Sequence, residues 1–503
     1  MSLAIVYSRA AVGVDAPLVT VEVHMSNGLP ALSVVGLPET TVKESRDRVR
    51  SALLNAGFEF PARRLTVNLA PADLPKEGGR FDLPIAIGIL AASGQIPVEV
   101  LSKFEFLGEL ALGSQLRPVR GVLPAALKSR QAGRNLIVPF ANAGEADIVK
   151  SLRYGAAESL LDVCAYLSEE KPLVCAHGGL NRSSNSGEDD LCEVNGQARA
   201  KRALEIAAAG RHNLLFIGPP GTGKTMLASR LPGILPDMSE EEAIQTAALY
   251  SISNTGFDVA QWGKRFFRAP HHTASAVALV GGGSVPRPGE VSLAHNGVLF
   301  LDELPEFDRR VLEVLREPLE SGGITISRAT RQIDFPARFQ LIAAMNPCPC
   351  GYLGDSDGRC RCTSEQVSRY RNKISGPLLD RIDLHIEVPR IPLSNLHNNA
   401  NNAENSQTVR ARVVNARKRQ IDRSGKANSL LRNQEIKQYV KLTQADELLM
   451  NTVMDRFRLS SRAYFRILKV ARTIADLDGS EEVHSPHISE AITYRCLDRG
   501  LSI

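Results

Sequence analysis

Nowhere in the 503 residues does an apolar run approach the ~20 needed to cross a bilayer. The best stretch, residues 83–92, is short and carries Pro84 and Gly88, so no membrane span is expected. The first residues have no basic segment ahead of their apolar ones, and Arg9 follows soon after, which argues against a secretory signal. An excess of one charge is missing too: 60 Lys and Arg oppose 55 Asp and Glu, a net +5 that is too weak at this length to reveal a polyanionic partner. Any such partner must be read from local clusters. No internal repeat is found. A cytoplasmic protein is expected, with its eight cysteines reduced and available for metal binding or packing.

What is present is ordinary globular material, 43% hydrophobic and 23% charged. The length suggests three domains at roughly 150 residues each. Two polar stretches, residues 176–190 and 392–408, are too poor in apolar side chains to bury a core and are read as linkers. They leave blocks at 1–175, 191–391 and 409–503. In the first, residues 20–24 and 65–69 alternate like half-buried strands, while 40–56 has helical spacing and stops at Gly57. In the second, the apolar runs 214–217, 298–301 and 340–345 alternate with helical stretches, the pattern of a parallel sheet covered on both faces. The third, with Leu448, Leu449, Val453 and Phe457, then Ile467, Leu468, Ala471 and Ile474, reads as all helical. The fold class is therefore α/β with a helical C-terminal block.

The strongest chemistry lies in Gly218, Pro219, Pro220, Gly221, Thr222, Gly223, Lys224 and Thr225, a full match to GxxxxGK[ST] directly after the apolar run LLFI and before a helical stretch. The glycines let successive backbone N–H groups turn toward phosphate oxygens, and the helix that follows presents its positive end to them. Lys224 is then the partner of the β and γ phosphates of ATP, and Thr225 a Mg2+ ligand. Residues 298–303, VLFLDE, end a buried strand in two carboxylates: Asp302 for the metal ion and Glu303 as base toward the attacking water. A third strand runs into Asn346, an amide placed to sense the γ-phosphate.

These residues resemble AAA+ ATPases of the magnesium-chelatase-like branch and, within it, the ComM/YifB family. The resemblance spans nearly the whole chain and rests on GPPGTGKT, HNGVLFLDELPEF (295–307), AAMNPCPCGYLGD (343–355) and SGPLLDRIDLHIEVP (375–389). It implies a P-loop AAA+ parallel-sheet core with a C-terminal helical lid. It further implies that Arg381 in LLDRID is an arginine finger serving the nucleotide of a neighbouring subunit, facing outward from its own, and that Arg462 in LSSRAYFR is the second-sensor arginine. A ring follows, of which a hexamer is the form the resemblance suggests, working on single-stranded and branched DNA as a branch-migration helicase. A protein remodeller or a chelatase-type metal-insertion ATPase is the alternative. No Asp-x-Ser-x-Ser motif occurs in the chain, so the signature of the D-type chelatase subunit is missing.

The N-terminal block resembles a Lon-protease-like α/β domain through Pro75 to Arg80, Gly108 to Leu112, Arg117, Pro118, Val119 and Gly121. Aligning those motifs puts Arg80 where the nucleophilic serine belongs and Leu123 where the activating lysine belongs, so both the attacking oxygen and its activator are gone. A retained fold without peptidase activity is expected, serving as a collar whose Arg46, Arg48, Arg50, Arg63 and Arg64 line a nucleic-acid path or a solvated helix face.

Cys348, Cys350, Cys360 and Cys362 form two CxC pairs separated by nine residues that include three glycines, enough chain to fold four thiolates around one structural Zn2+. Cys164, Cys175, Cys192 and Cys496 are scattered and read as packing residues. For DNA contacts the candidates are Arg328 and Arg331 on a β-hairpin over 324–335, and Arg265 and Arg268 in an insertion between the two nucleotide motifs. Residues 408–426 add seven basic side chains against Asp422 alone, a further candidate polyanion surface.

Overall fold

A computed structural model describes residues 2–36, 40–74, 76, 78–173, 189–283, 286–328, 331–354, 358–391, 404–457, 459–495 and 497. Residues 176–188 and 392–403 of the expected linkers, together with Cys175 and Cys496, lie outside the described residues. The chain groups into two compact units. One comprises Met1–Ser183, Glu240–Trp262 and Ser327–Ile333; the other comprises Ser184–Ser239, Gly263–Ile326 and Asp334–Ile503.

The first unit is built on a seven-stranded sheet in the order Ala31–Val35, Arg64–Ala70, Leu18–Ser26, Ser2–Arg9, Phe104–Phe106, Asn135–Pro139, Tyr154–Ala157. Leu18–Ser26 runs antiparallel to both neighbours, and from Ser2–Arg9 onward the pairing is parallel. Burial alternates strictly along Arg64–Ala70, as the sequence alternation requires of a sheet with one covered face. The covering element is the helix Asp82–Ala92, every residue of which is buried. The apolar run 83–92, too short for a membrane, is thus a core helix. Gly88 lets it approach the sheet, since a Cβ there would stand 2.5 Å from Val23 Cγ2.

The helix Glu240–Ile252 belongs to this unit, although the sequence reading placed it inside the 191–391 block. It buries residues from Ala243 to Ser251, of which Ala247 and Ala248 enter a core with Val122, Ala125, Val138 and Ala146, with Phe257 and Trp262 packed at the margin. Polar contacts fix the register. The Ser251 hydroxyl donates to the Glu145 carboxylate, and the Gly121 N–H donates to the Ser251 carbonyl at 2.9 Å.

The second unit holds a five-stranded, all-parallel sheet in the order Phe267–Arg268, Val298–Leu301, Gln340–Met345, Leu214–Ile217, Leu384–Glu387. Its three middle strands are buried at every residue, which is why they read as continuous apolar runs. Helices Ala198–Gly210, Ser406–Ser424, Ser461–Leu477 and Ser485–Thr493 share one core with these strands, so the helical C-terminal block packs as part of the same unit. Ser461–Leu477 begins where the Ser460 hydroxyl accepts the Ala463 N–H, and it turns Ile467, Leu468, Ala471 and Ile474 inward at helical spacing. Among the described residues no helix is long and apolar enough to cross a membrane.

Candidate nucleotide site

Three adjacent parallel strands end at one edge of the second unit's sheet, and each delivers a polar group there. Leu214–Ile217 runs into the glycine loop, Val298–Leu301 into Asp302 and Glu303, and Gln340–Met345 into Asn346. The loop turns through left-handed backbone at Gly221 (φ 75°) and Gly223 (φ 86°), conformations that side chains with a Cβ rarely adopt. The helix Lys224–Ser229 follows at once and presents its positive end where the loop turns.

The side chains converge. Lys224 Nζ donates to the carbonyls of Gly218 at 2.7 Å and Pro219 at 2.8 Å, and to Asn346 Oδ1 at 3.2 Å. Burial lowers its pKa, against the pull of Asp302 and Glu303. The Thr225 hydroxyl donates to Asp302 Oδ2 at 2.6 Å, so a hydroxyl and a carboxylate, both hard oxygen donors, share one spot, as a Mg2+ site requires. Glu303 follows in left-handed backbone (φ 51°, ψ 47°), its own N–H donating to Asp302 Oδ1 at 2.9 Å. The Glu303 side chain is half exposed. Lys224, Thr225, Asp302 and Asn346 therefore stand together. They fit a nucleoside triphosphate with its metal ion: an ammonium for phosphate oxygens, two oxygens for the cation, and an amide beside them.

Arg381 is placed otherwise than expected. It follows the helical turn Gly376–Leu379, and its side chain is only 7% exposed. Its guanidinium donates to Glu320 and, at 2.6 Å, to the Pro377 carbonyl, so it is held within its own protomer rather than facing outward. Burial lowers its pKa despite Glu320, and Arg316, Arg462 and Arg466 add to the effect. Asp383, two residues on, accepts from Arg466 and from the Asn213 N–H at 3.0 Å, which pins the LLDRID segment to the start of strand Leu214–Ile217. Arg462 opens the helix Ser461–Leu477, exposed and without a side-chain partner among the described residues.

The four cysteines do meet. Sγ of Cys348 lies 3.3 Å from that of Cys350 and 3.7 Å from that of Cys360, Cys350 and Cys360 are 3.6 Å apart, and all four sulfurs fall within 4.8 Å of one another. A tetrahedral Zn2+ with bonds of about 2.3 Å needs edges of about 3.8 Å, so the cluster fits. The Tyr352 amide and neighbouring thiols draw the Cys350 thiol down to about 6, while bonding to Cys350 and Cys348 raises Cys360 and pushes Cys362 up to about 12.

The proposed DNA-contact residues fare differently. Arg265 spends its guanidinium on the carbonyls of Pro236 (2.7 Å), Asn296 (2.6 Å) and Asp237 (3.2 Å). Arg268 pairs with both oxygens of Glu290 at 2.7 and 2.6 Å. Both guanidiniums are engaged within their own unit. Along Ser406–Ser424 the same holds: Arg410 pairs with Asp237, Arg412 with Glu205 and Glu404, and Arg423 with Asp476. Arg417 donates to the carbonyls of Ala208 and Ala209, Arg419 to that of Gly479, and Lys426, just beyond the helix, pairs with Glu435. Most of these guanidiniums are engaged within the unit, whereas Lys418 stays exposed. Arg328 and Arg331 lie in the paired strands Gly323–Arg328 and Arg331–Pro336, and their side chains lie outside the described residues. In the first unit, Arg48 forms an ion pair with buried Asp82 at 2.8 Å, and Arg50 lies 5.3 Å from the Phe60 ring centroid. Arg46, Arg63 and Arg64 are exposed.

Sequence reasoning missed three residues. His272 reaches Glu303 and Glu320 holds Arg381; no motif announced either. His295 was quoted only as the first letter of a motif. Its Nδ1 accepts the Arg338 N–H at 3.0 Å, and burial first, then Arg211 and Arg338, push its pKa down to about 3, so it is a neutral structural acceptor.

Family models match three stretches of the chain: magnesium chelatase, subunit ChlI, over residues 190–396; subunit ChlI of Mg-chelatase over 21–142; and magnesium chelatase, subunit ChlI C-terminal, over 403–495. The chain is 56% identical over 505 residues to competence protein ComM of Haemophilus influenzae, covering 100% of this chain and 99% of that protein. It is 53% identical over 502 residues to the uncharacterized protein YifB of Escherichia coli, covering 100% and 98%. A DNA replication licensing factor of Xenopus laevis, mcm6-B, is 23% identical over 42% of this chain and 26% of its own length.

Proposed function

We propose, on the premise that this chain belongs to the ComM and YifB family of magnesium-chelatase-like AAA+ ATPases, that it is a ring-forming DNA motor. In this reading it acts in the cytoplasm as a homo-hexamer and migrates branches during recombination of incoming DNA in natural transformation. The observation that carries the ATPase half is the convergence of Lys224, Thr225, Asp302 and Asn346 at the ends of three parallel strands. The DNA half is supported by the end-to-end match to a relative named as a competence protein.

In this reading Lys224 binds the β and γ phosphates, Asn346 orients the terminal one, and Thr225 with Asp302 holds Mg2+. Bound there, the ion neutralises charge on the β and γ oxygens. Glu303 accepts a proton from the attacking water, Arg381 serves the nucleotide of an adjacent copy once it is released from Glu320, and Arg462 contacts phosphate from the lid. The four cysteines hold a structural Zn2+, and four sulfurs leave no open position for catalysis at that ion. Arg328 and Arg331 on the hairpin are the proposed contacts to DNA phosphates, which predicts a steep loss of affinity with salt.

The test is ATP turnover with and without single-stranded and forked DNA, alongside strand displacement on the forked substrate. Turnover raised by DNA and weakened by salt is expected. The family models are named for a chelatase subunit, which favours a second reading as a protein remodeller or metal-insertion ATPase. Turnover indifferent to DNA would favour that reading and defeat the first.

A further inference from the structure

Cys348 follows Asn346 by two residues, and the turn it opens reaches back to the glycine loop. The Gly351 N–H donates to the Cys348 carbonyl at 3.0 Å, which closes the turn 348–351 through left-handed backbone at Gly351 (φ 85°). A Cβ at position 351 would stand 2.9 Å from Pro220 Cδ and 3.4 Å from Cγ of the same ring, with Asn346 Cγ next at 3.9 Å. Unbonded carbons rest at about 3.5–4.0 Å, so only glycine lets this turn lie against Pro220 without displacing it. Gly354 and Gly358, farther along the same loop, are also left-handed (φ 79° and 62°), yet a Cβ there meets nothing within 4 Å. Those two serve the backbone alone, whereas Gly351 serves a close approach to the nucleotide loop.

The far arm of the cysteine loop is tied to the same place. Directly after Cys362, Thr363 caps the helix Ser364–Arg371: its N–H donates to Gln366 Oε1 at 3.0 Å and its hydroxyl accepts the Gln366 N–H at 3.3 Å. At the other end of that helix the Arg371 guanidinium donates to the Pro347 carbonyl at 3.3 and 3.2 Å. Pro347 is the residue after Asn346, whose amide oxygen accepts from Lys224 at 3.2 Å. Whatever holds the four sulfurs within 4.8 Å of one another thus holds two things at once. One is the turn that leans on Pro220, and the other is the start of the helix that grips the segment carrying Asn346.

We propose that the cysteine turn is a positioning element of the nucleotide site, with Gly351 the residue that sets Pro220, so that nucleotide affinity depends on a metal-loaded cluster. The inference rests on reading residues 218–225 as the nucleotide loop. In the full-length protein, Gly351→Ala raises the Kd of a fluorescent ATP analogue about tenfold, the scale of a small overpacking cost. Gly354→Ala, equally left-handed but facing open space, stays within about twofold of wild type. Both variants keep about one equivalent of zinc by metal analysis. In a Pro220→Ala background the ring atoms are gone, and adding Gly351→Ala then costs less than about twofold. Equal Kd values for the two alanine variants, or the full effect retained in the Pro220→Ala background, would overturn the contact. Stripping the wild type with a zinc-selective chelator at constant Mg2+ raises the same Kd, and added zinc restores it. An affinity indifferent to stripping would overturn the dependence on metal. Lys224→Ala separates these failures from that of the underlying reading. If it binds the analogue as tightly as wild type, the nucleotide lies elsewhere and the inference falls with the loop; if its binding is lost, the Gly351 and chelator measurements decide by themselves.

Discussion

Two places in this chain were read from sequence as outlines of a catalytic site, and the structure arranges their residues in opposite ways. In the second unit, residues from three segments meet: Lys224 bonds to Asn346, and its neighbour Thr225 bonds to Asp302. In the first, the positions that resemblance would give a serine and a lysine hold Arg80 and Leu123. Arg80 is buried in the turn Gly79–Phe81, and Leu123 is fully buried in the helix Val122–Gln131. Leu123 contributes its backbone instead: its N–H donates toward the Glu145 carboxylate at 3.3 Å and the Ser251 hydroxyl at 3.4 Å. In the second unit, then, polar groups converge. In the first, the corresponding positions carry packing and the docking of the helix Glu240–Ile252. A surviving motif therefore marks a backbone path, and only the atoms at its end say whether a reaction is run there.

The contrast predicts that substitutions in the second unit destroy activity without unfolding it. Lys224→Ala should cut ATP turnover about a thousandfold or more, measured as phosphate release, because the ammonium is the proposed partner of the transferred group. Residual turnover above a tenth of wild type would move the nucleotide elsewhere. Arg381→Ala should cost about a hundredfold in rate, with the Kd for nucleotide within about threefold. If the guanidinium acts between copies, mixing Arg381→Ala with Lys224→Ala protein should recover activity that neither has alone. No recovery at any ratio would confine Arg381 to its own protomer, where Glu320 now holds it.

Asp383 sharpens the comparison from the side of stability. Burial alone would raise its pKa, but Arg466 and then His212 outweigh that and hold it well below the usual carboxylate range. A depressed folded pKa gives stability that is present above the unfolded value and lost as pH falls through the folded one, so the contribution is intact at neutral pH and drains away in acid. Asp383→Asn should destabilise the second unit by about 2 kcal/mol at pH 7, leaving a partly buried Arg466 without its charge partner. A Tm unchanged between wild type and variant at pH 7 would refute this. A smaller effect is expected at the cysteines: Cys348→Ser should abolish about one equivalent of bound zinc, read by metal analysis, and lower the Tm by a few degrees while leaving nucleotide binding in place.

The nucleotide site was legible in sequence because each of its parts is local. GPPGTGKT needs only eight consecutive residues and a strand before them, and VLFLDE declares its own burial. The strands at 214–217, 298–301 and 340–345 were equally plain, because parallel strands covered on both faces are apolar throughout. What failed to show were long-range partners. The basic stretch 408–426 looked like a polyanion surface because the acceptors of Arg412, Arg417 and Arg423 are some 50 to more than 200 positions away. Glu320 and His272 were invisible for the same reason, being 61 residues from Arg381 and 31 from Glu303. The helix Glu240–Ile252, read inside the 191–391 block, groups with the first unit; its buried face mixes small, polar and apolar residues, a pattern that does not say which core receives it.

The smallest change in chemistry is expected where the resemblance to a protease is most tempting. Restoring both positions, Arg80→Ser together with Leu123→Lys, should leave peptide hydrolysis at background. A nucleophile needs more than the two residue types: the lysine must sit within hydrogen-bond reach of the hydroxyl, with its pKa lowered by surroundings that still admit a peptide. Position 123 is wholly enclosed in a core with Val122, Ala125 and Ala126, so a lysine placed there must bury its ammonium or push the helix outward. Serine at position 80 would also remove a buried guanidinium that lies beside Gly121 and lowers the pKa of Glu145 electrostatically; burial otherwise raises it. The double variant should therefore lose thermal stability in the first unit and gain no acyl-enzyme with a serine-directed fluorophosphonate probe. Labelling of the double variant above the Leu123→Lys single variant would show that the site is intact but for two side chains, and the contrast with the nucleotide site would then be one of residue identity and not of how the two places are packed.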